Sequence, residues 1–369
     1  MTDRILKRIM VRQGTSTEAA THNEVLRAGE FSYETDTGRM KIGDGTNHYN
    51  DILSFSEEAE IAEQIVRGVY AGQCLNDKFG FGRTGSAVDT WLAARCSTAN
   101  WAGINIGDYI EINTGAYTLY GAGTASAGST DGDASLAAVT RKFYVAGFNV
   151  YKNTGDTALT KNHITLCHLP LDFTCQWNKS KTNGSYVNTN NGCSSITNPW
   201  LASKAYAVLN GVSNASTSGA GNPTGCAASG KGVLQMLTAA GLDSNHLLSR
   251  RKYAEVRYTA GSDIIDSTGA AWVEVGKIWA PSEVEVYGSP RFSQVSAWPW
   301  ANYGPDEHLP LFKFFGKNAG GRWASQTFWL SSVAGGYSTS ACYVNSVGFA
   351  HCYNTAYAYR VPVCFHFGV

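Results

Sequence analysis

The sequence predicts an α+β protein, with a small β module at the N-terminus and a larger region of antiparallel strands and short helices. Three observations carry this expectation. Apolar and polar residues alternate over short runs that end at Gly, Asn or Asp, as half-buried strands do. Helical spacing of apolar residues occurs only in brief stretches. The 369 residues include 40 glycines but only 9 prolines, so tight turns are many and rigid linkers few.

Charge and composition exclude several classes of function. The formal net charge is +0 and charged residues make up 16%. A nucleic-acid binder needs a basic face, and none is legible here. No run of about 18 apolar residues is present, so no membrane insertion is expected. The opening MTDRILKRIMVRQG lacks the apolar core of a secretion signal, which leads to the expectation of synthesis in a cytoplasm. The nine cysteines follow no short repeated spacing and read as free, mostly buried thiols. His163, Cys167, His168 and Cys175 invite a zinc reading. However, Ile164 to His168 alternates like a strand and puts Cys167 and His168 on opposite faces, so no metal or other cofactor is expected.

Taken in order, residues 5–11 read as a first strand, followed by a polar stretch to Leu26. Phe31 and Tyr33, then Met40 and Ile42, alternate with polar neighbours around Asp36-Thr37-Gly38, which predicts a β-hairpin. In residues 56–70, Ile61, Ile65 and Val69 fall at helical spacing behind an acidic start, with Gly72 as the stop. Gly80, Gly82 and Gly85 form a G-x-G-x-x-G without a strand before it, which reads as a turn into a helix over 86–95 rather than a dinucleotide site. Residues 101–112 lead into a strand, and 121–138 form a low-complexity loop. Arg141–Tyr151 is a strand with Phe143, Val145, Gly147 and Asn149 on one face, and His163–Leu169 is another. Asn198-Pro199 opens a helix carrying Trp200, Leu201, Ala205 and Leu209. Residues 211–229 form a loop, and Val233–Leu237 a helix stopped by Gly241. Pro281-Ser282-Glu283 starts a further helix.

The C-terminal stretch has the composition of a recognition surface. Five tyrosines lie between Tyr337 and Tyr359 among Ser, Thr, Asn, Ala and Gly, with no Lys, Arg, Asp or Glu in that span. Tyrosine offers large contact area at low rotamer cost, and the small polar residues adapt their hydrogen bonds, as in an antibody paratope. Alternation puts Tyr343 and Asn345 on one side with Cys342 and Val344 on the other, and Tyr357 with Tyr359 opposite Arg360. The candidate receptor-binding residues are therefore Tyr337, Tyr343, Asn345, Tyr353, Tyr357 and Tyr359. Trp329, Val344, Val361 and Val363 are expected to hold the scaffold. A tyrosine-rich β core is the competing reading.

No catalytic motif is present: there is no G-x-S-x-G, H-E-x-x-H or phosphate loop. Glu283 and Glu285 are two apart and do not face each other on a helix. Asp306-Glu307-His308 reads as a solvated loop. Carboxylate pairs that cleave glycans have no fixed sequence spacing, so this reaction class stays open.

Two resemblances sharpen the expectation. The pattern R-x-G-T, then G-E-x-x-Y-E-T-D-T-G-R-M-K-I-G-D-G-T-x-x-Y-N-D-I, resembles the N-terminal module of phage tail-fibre proteins over about residues 6–56. That module also occurs ahead of phage hyaluronate lyases, and it is similar to the start of the major tropism determinant family. The resemblance implies a trimeric β-prism that attaches to other tail or baseplate proteins. Further on, W-x-P-S-E-x-E-x-x-G, F-W-L-S-S, Y-V-N-S-x-G and R-V-P resemble a C-terminal domain of phage tail and bacterial surface proteins that is similar to C-type lectins. It departs from the sugar-binding lectins in having no Glu-Pro-Asn or Gln-Pro-Asp calcium motif. The resulting expectation is a virion-attachment module over 1–56, a helical linker over 57–73 and a lectin-like receptor-binding head over 74–369. The chain is then a homotrimeric, non-enzymatic receptor-binding protein of a tail tip or fibre, whose partner is a host surface glycan or protein. A tail-associated polysaccharide-degrading enzyme and a structural tail adaptor are the alternatives.

Overall fold

The computed structural model describes residues 11–119, 133–168, 173–178, 199–212, 230–255, 270–289, 292, 308–315, 326–334, 340–355 and 357–369. Most of the expected strand at 5–11, most of the expected loops at 121–138 and 211–229, the Asp306-Glu307 pair and Tyr337 lie outside the described residues. The described part mixes helices with mostly antiparallel sheets, an α+β arrangement. No described helix is long and apolar enough to cross a membrane. The chain clusters into two units, Met1–Tyr70 with Ala102–Ile104, and Ala71–Trp101 with Asn105–Val369.

The first unit contains β1 (Arg12–Gly14), α1 (Ser16–His22), β2 (Phe31–Glu34), β3 (Met40–Ile42) and α2 (Phe55–Val66). β1 pairs parallel with β2, and β2 antiparallel with β3 through the Asp36–Gly38 turn. Helix α1 sits in the stretch read only as polar. It buries no side chain, so no apolar periodicity announced it, but Thr15 and Glu18 form a reciprocal capping box. The hairpin faces its polar side inward. Ser32, Glu34 and Lys41 are buried, while Phe31, Tyr33, Met40 and Ile42 are only half-buried. Tyr49 is the reason. Its hydroxyl donates to Glu34 Oε1 at 2.8 Å, Lys41 Nζ donates to its carbonyl at 3.1 Å, and the ammonium lies 4.2 Å from its ring centre. Burial, reinforced by Glu34, pushes the Tyr49 hydroxyl up to about 12. Helix α2 starts at a second capping box, Ser54 with Glu57, but stops at Val66 rather than Gly72. Of the expected stripe only Ile61 is buried; Ile65 is half-buried and Val69 is 66% exposed.

The second unit begins with α3 (Leu75–Lys78) and α4 (Gly85–Thr98), the latter capped by Thr84 and burying Val88 and Leu92. Then come β4 (Tyr109–Thr114), β5 (Tyr117–Leu119), β6 (Ala134–Leu136), β7 (Val139–Phe148), β8 (His163–His168) and β9 (Thr174–Gln176). β6 lies in the stretch expected to be all loop, paired with β5. In β7 a bulge between Val145 and Gly147 shifts the register, so Ala146 is buried with its neighbours. Asn149 has left the strand, with φ +50°.

The helix expected after Asn198 breaks in two, α5 (Pro199–Ala202) and α6 (Lys204–Asn210). The Ser203 hydroxyl caps the second by accepting from Tyr206 N. α7 (Val233–Ala239), β10 (Leu247–Leu248), β11 (Arg251–Glu255), β12 (Ala270–Glu274), α8 (Glu283–Tyr287) and α9 (Pro310–Phe315) follow. The chain ends in β13 (Phe328–Val333), β14 (Ser340–Val344), β15 (Ala350–Asn354), β16 (Ala358–Arg360) and β17 (Val363–Gly368).

Two five-stranded sheets dominate this unit, in the orders β10-β17-β8-β7-β4 and β15-β14-β13-β16-β9. β17 and β8 are buried almost throughout, on both faces of the sheet, although Ile164 to His168 alternates in sequence. Helix α4 covers this first sheet, with the Cys96 thiol donating to Phe367 O. The second sheet is antiparallel except where β16 runs parallel to β13, with Phe328 opposite Arg360. Trp177 and Trp329 lock its interior by donating their indole N–H to Leu330 O and Cys175 O.

Candidate functional site

The second sheet gathers the C-terminal tyrosines. Across three strands Trp329, Tyr343 and His351 stand side by side in register, and Tyr353 sits opposite Ala341. Tyr359 pairs with Cys175 on β9. Period-two alternation sends Cys342 and Val344 into the core, where both are buried, and leaves Tyr343 half-buried on the other face. Phe328 and Val344 fill the inner side of the same sheet.

On the outer side the rings form a continuous layer. Tyr359 lies 4.7 Å from Trp329 and 5.0 Å from Tyr343, centre to centre. Tyr353 meets Tyr357 edge-on at 4.5 Å, and Tyr343 lies 5.3 Å from His351. These separations fall in the range where aromatic pairs add to simple area burial. Trp329, on the same face as Tyr343, is fully buried with the Tyr343 and Tyr359 rings against it, while Tyr353 stays 39% exposed. Partial burial raises the Tyr343 hydroxyl above the usual tyrosine value, so the ring stays neutral.

Four of the six expected residues, Tyr343, Tyr353, Tyr357 and Tyr359, are therefore brought together. Asn345 instead shapes the turn between β14 and β15, where its side-chain oxygen accepts from Val347 N and Phe349 N. Tyr337 lies outside the described residues. Trp329, Val344, Val361 and Val363 are buried where the scaffold was expected.

Sequence reasoning missed the residues that widen the face. Val347 and Phe349 stand out at the hairpin tip, 57% and 61% exposed. Tyr287 of α8 donates to Gly348 O and ties that tip down. The Phe292 ring stacks on His351 at 5.5 Å, and Glu283 accepts from Phe292 N. The Asn345–Gly348 turn was the available signal for the hairpin, and its register would have placed His351 beside Tyr343. Nothing local in the sequence marks Phe292.

The other conspicuous chemistry is a sealed ionic cluster. Glu285 accepts from Arg250, from the Tyr151 hydroxyl at 2.9 Å and from Ser282 N at 2.6 Å, with Lys252 Nζ at 3.8 Å. Burial acts to raise its pKa, but Lys252 and Arg250 hold it below the usual carboxylate range. Arg250 Nε donates to His366 Nε2, so His366 Nδ1 carries the proton and donates to Thr165. The Glu285 and Arg250 side chains are 0% and 1% exposed. Through Arg250, which bonds both Glu285 and His366, this buried cluster fastens α8 to the first sheet. The expectation that Glu283 and Glu285 point apart holds, yet both are buried.

Among the described residues no three His, Cys, Asp or Glu side chains form a metal-binding group. Comparison with family models, curated proteins and solved structures returned no match.

Proposed function

We propose that this chain is a virion-attached, receptor-binding tail protein that adsorbs to a host surface glycan or protein through the outer face of the β15-β14-β13-β16-β9 sheet. The observation that carries the reading is the layer of Tyr343, Tyr353, Tyr357 and Tyr359, packed ring to ring in a stretch without Lys, Arg, Asp or Glu. Such a surface binds by area and adaptable polar contacts, not by charge. On this reading the larger unit is the C-type-lectin-like head, and the N-terminal unit is a β-prism-type attachment module. Assembly of three chains is supported by apolar side chains left at the surface of that N-terminal unit. Phe55 is 52% and Val66 74% exposed, and the apolar side of the hairpin is only half-buried. The role assigned is adsorption, without cleavage of the receptor.

The test is a set of single Tyr→Ala variants with adsorption to host cells and melting temperature measured together. Tyr353→Ala, at the open end of the layer, should lose adsorption by roughly 2 kcal/mol if it is a contact hot spot, with melting nearly unchanged. Tyr359→Ala should lower both, because its ring covers Trp329. Unchanged adsorption in all four tyrosine variants would place the binding surface elsewhere.

A further inference from the structure

Two cysteine pairs face each other across antiparallel strands. Cys342 on β14 is opposite Cys352 on β15, and Cys167 on β8 is opposite Cys364 on β17. All four are free thiols. The hydrogen-bond parity of each ladder decides how close the side chains come. In the outer hairpin Asn345 N donates to Phe349 O at 3.0 Å, so that pair is of the hydrogen-bonded kind. Antiparallel pairs alternate. Stepping inward, Val344 with Ala350 is non-bonded, Tyr343 with His351 is bonded, and Cys342 with Cys352 is non-bonded. The inner pair has the same character. Cys364 exchanges both main-chain bonds with Trp279, at 2.8 and 2.9 Å, and so turns them away from Cys167.

Non-bonded pairs place their Cα atoms about 4.5 Å apart, the closest approach in a sheet. A disulfide spans Cα separations of about 4.4–6.8 Å. Both pairs therefore meet the backbone requirement, but they differ in access. Cys167 and Cys364 are 0% exposed, enclosed within the first sheet. Cys352 is half-buried and Cys342 lies behind it, its thiol now directed at Val333 O. Rotation about the Cys342 Cα–Cβ bond brings that sulfur toward Cys352.

We propose that Cys342 and Cys352 are an oxidation site that closes to a cross-strand disulfide once the protein meets a low-molecular-weight disulfide such as oxidised glutathione. Cys352 is the attacking group and Cys342 the resolving one. The Cys352 thiolate attacks one sulfur of glutathione disulfide, breaks its S–S bond and releases one glutathione thiolate. The Cys342 thiolate then attacks the Cys352 sulfur and expels the second glutathione. Two protein thiols are oxidised, one small disulfide is reduced, and the two protons pass to the released glutathiones. Cys352 sits under burial and the nearby charge of Glu283, which raise its thiol above the usual value, so closure accelerates as pH rises. The bond would join β14 to β15 directly under Tyr343, His351 and Tyr353, and limit the hairpin to one register. This site stands independently of the receptor-binding reading.

The experiment uses the full chain, incubated with oxidised glutathione, quenched in acid, alkylated under denaturing conditions and digested with trypsin. No Lys or Arg lies between Arg322 and Arg360, so both cysteines fall in one peptide. The expected product is that peptide lighter by two hydrogens and without alkyl groups, while Cys167 and Cys364 are recovered alkylated. In Cys342→Ser, glutathione should remain attached to Cys352. The proposal is overturned if the peptide carries two alkyl groups after oxidation. It is also overturned if glutathione persists on Cys352 in the unaltered chain, or if Cys352 becomes linked to any other cysteine.

Discussion

Replacing Glu285 by Gln removes one negative charge from a site that holds two cations. The Arg250 side chain is 1% and the Lys252 side chain 7% exposed, so water cannot take over the lost pairing. The carboxamide keeps one acceptor for Ser282 N, which preserves the start of α8. Its NH2 group then points at Arg250 or the Tyr151 hydroxyl, both of which donate to Oε1 in the unaltered protein. Breaking a buried pair from one side costs roughly 3–5 kcal/mol because the partner charge is stranded. The comparison is Glu283→Gln, equally buried, whose carboxylate accepts from Phe292 N; loss of part of that bond should cost about 1 kcal/mol. Chemical denaturation followed by tryptophan fluorescence measures both. Adding Arg250→Gln to Glu285→Gln should give a loss smaller than the sum of the single losses by roughly 1–3 kcal/mol, since the two side chains share the interaction. A Glu285→Gln variant within about 1 kcal/mol of the unaltered chain, or strict additivity in the double variant (taking about 0.5 kcal/mol as the limit), would refute the view that this cluster is held by charge pairing.

Three further outcomes are expected. His366 is held neutral, its pKa well below the usual histidine value through burial, His163 and Arg250, so the unfolded chain binds its proton first. Its contribution is complete above the unfolded value of about 6.5 and declines as pH falls through that value, by up to about 1.4 kcal/mol per pH unit. A flat stability between pH 7 and pH 5 (roughly the window set by an unfolded value near 6.5) would contradict a His366 held neutral in the folded chain. Gly38 turns the β2–β3 hairpin at φ +72°, and a Cβ added there would meet nothing nearer than the Tyr33 hydroxyl at 4.0 Å, so strain and not collision decides. Gly38→Val should therefore cost on the order of 1 kcal/mol or more per subunit, lowering incorporation into virions while purified protein still adsorbs to host cells. Light scattering should give three times the chain mass of 39.6 kDa, and a monomer at micromolar concentration would remove the support drawn from the exposed Phe55 and Val66.

Local patterns in the sequence were enough for the elements whose own side chains decide them. The hairpin around Gly38 follows from alternation and a turn residue, α4 from Val88 and Leu92 one helical turn apart, and β8 from the alternation over Ile164 to His168. The alternation that puts Tyr343 outward and Val344 inward was legible in the same way, because a strand's two faces are fixed by parity alone. Facing, breaks and long-range company needed the tertiary structure. Which side of the hairpin is buried depends on Tyr49 arriving beside Glu34 and Lys41, and hydrogen bonding there outweighed the apolar alternation. The break at Ser203 comes from a hydroxyl choosing a backbone N–H over helix continuation. Arg250 meets Glu285 across 35 positions of sequence and His366 across 116, distances over which periodicity carries no information. The tyrosine layer divides along the same line: composition named its members, but only the pairing of β13 with both β14 and β16 set their rings over one buried tryptophan. Strand order is chosen by the free energy of the whole packed core, and no single segment contains it.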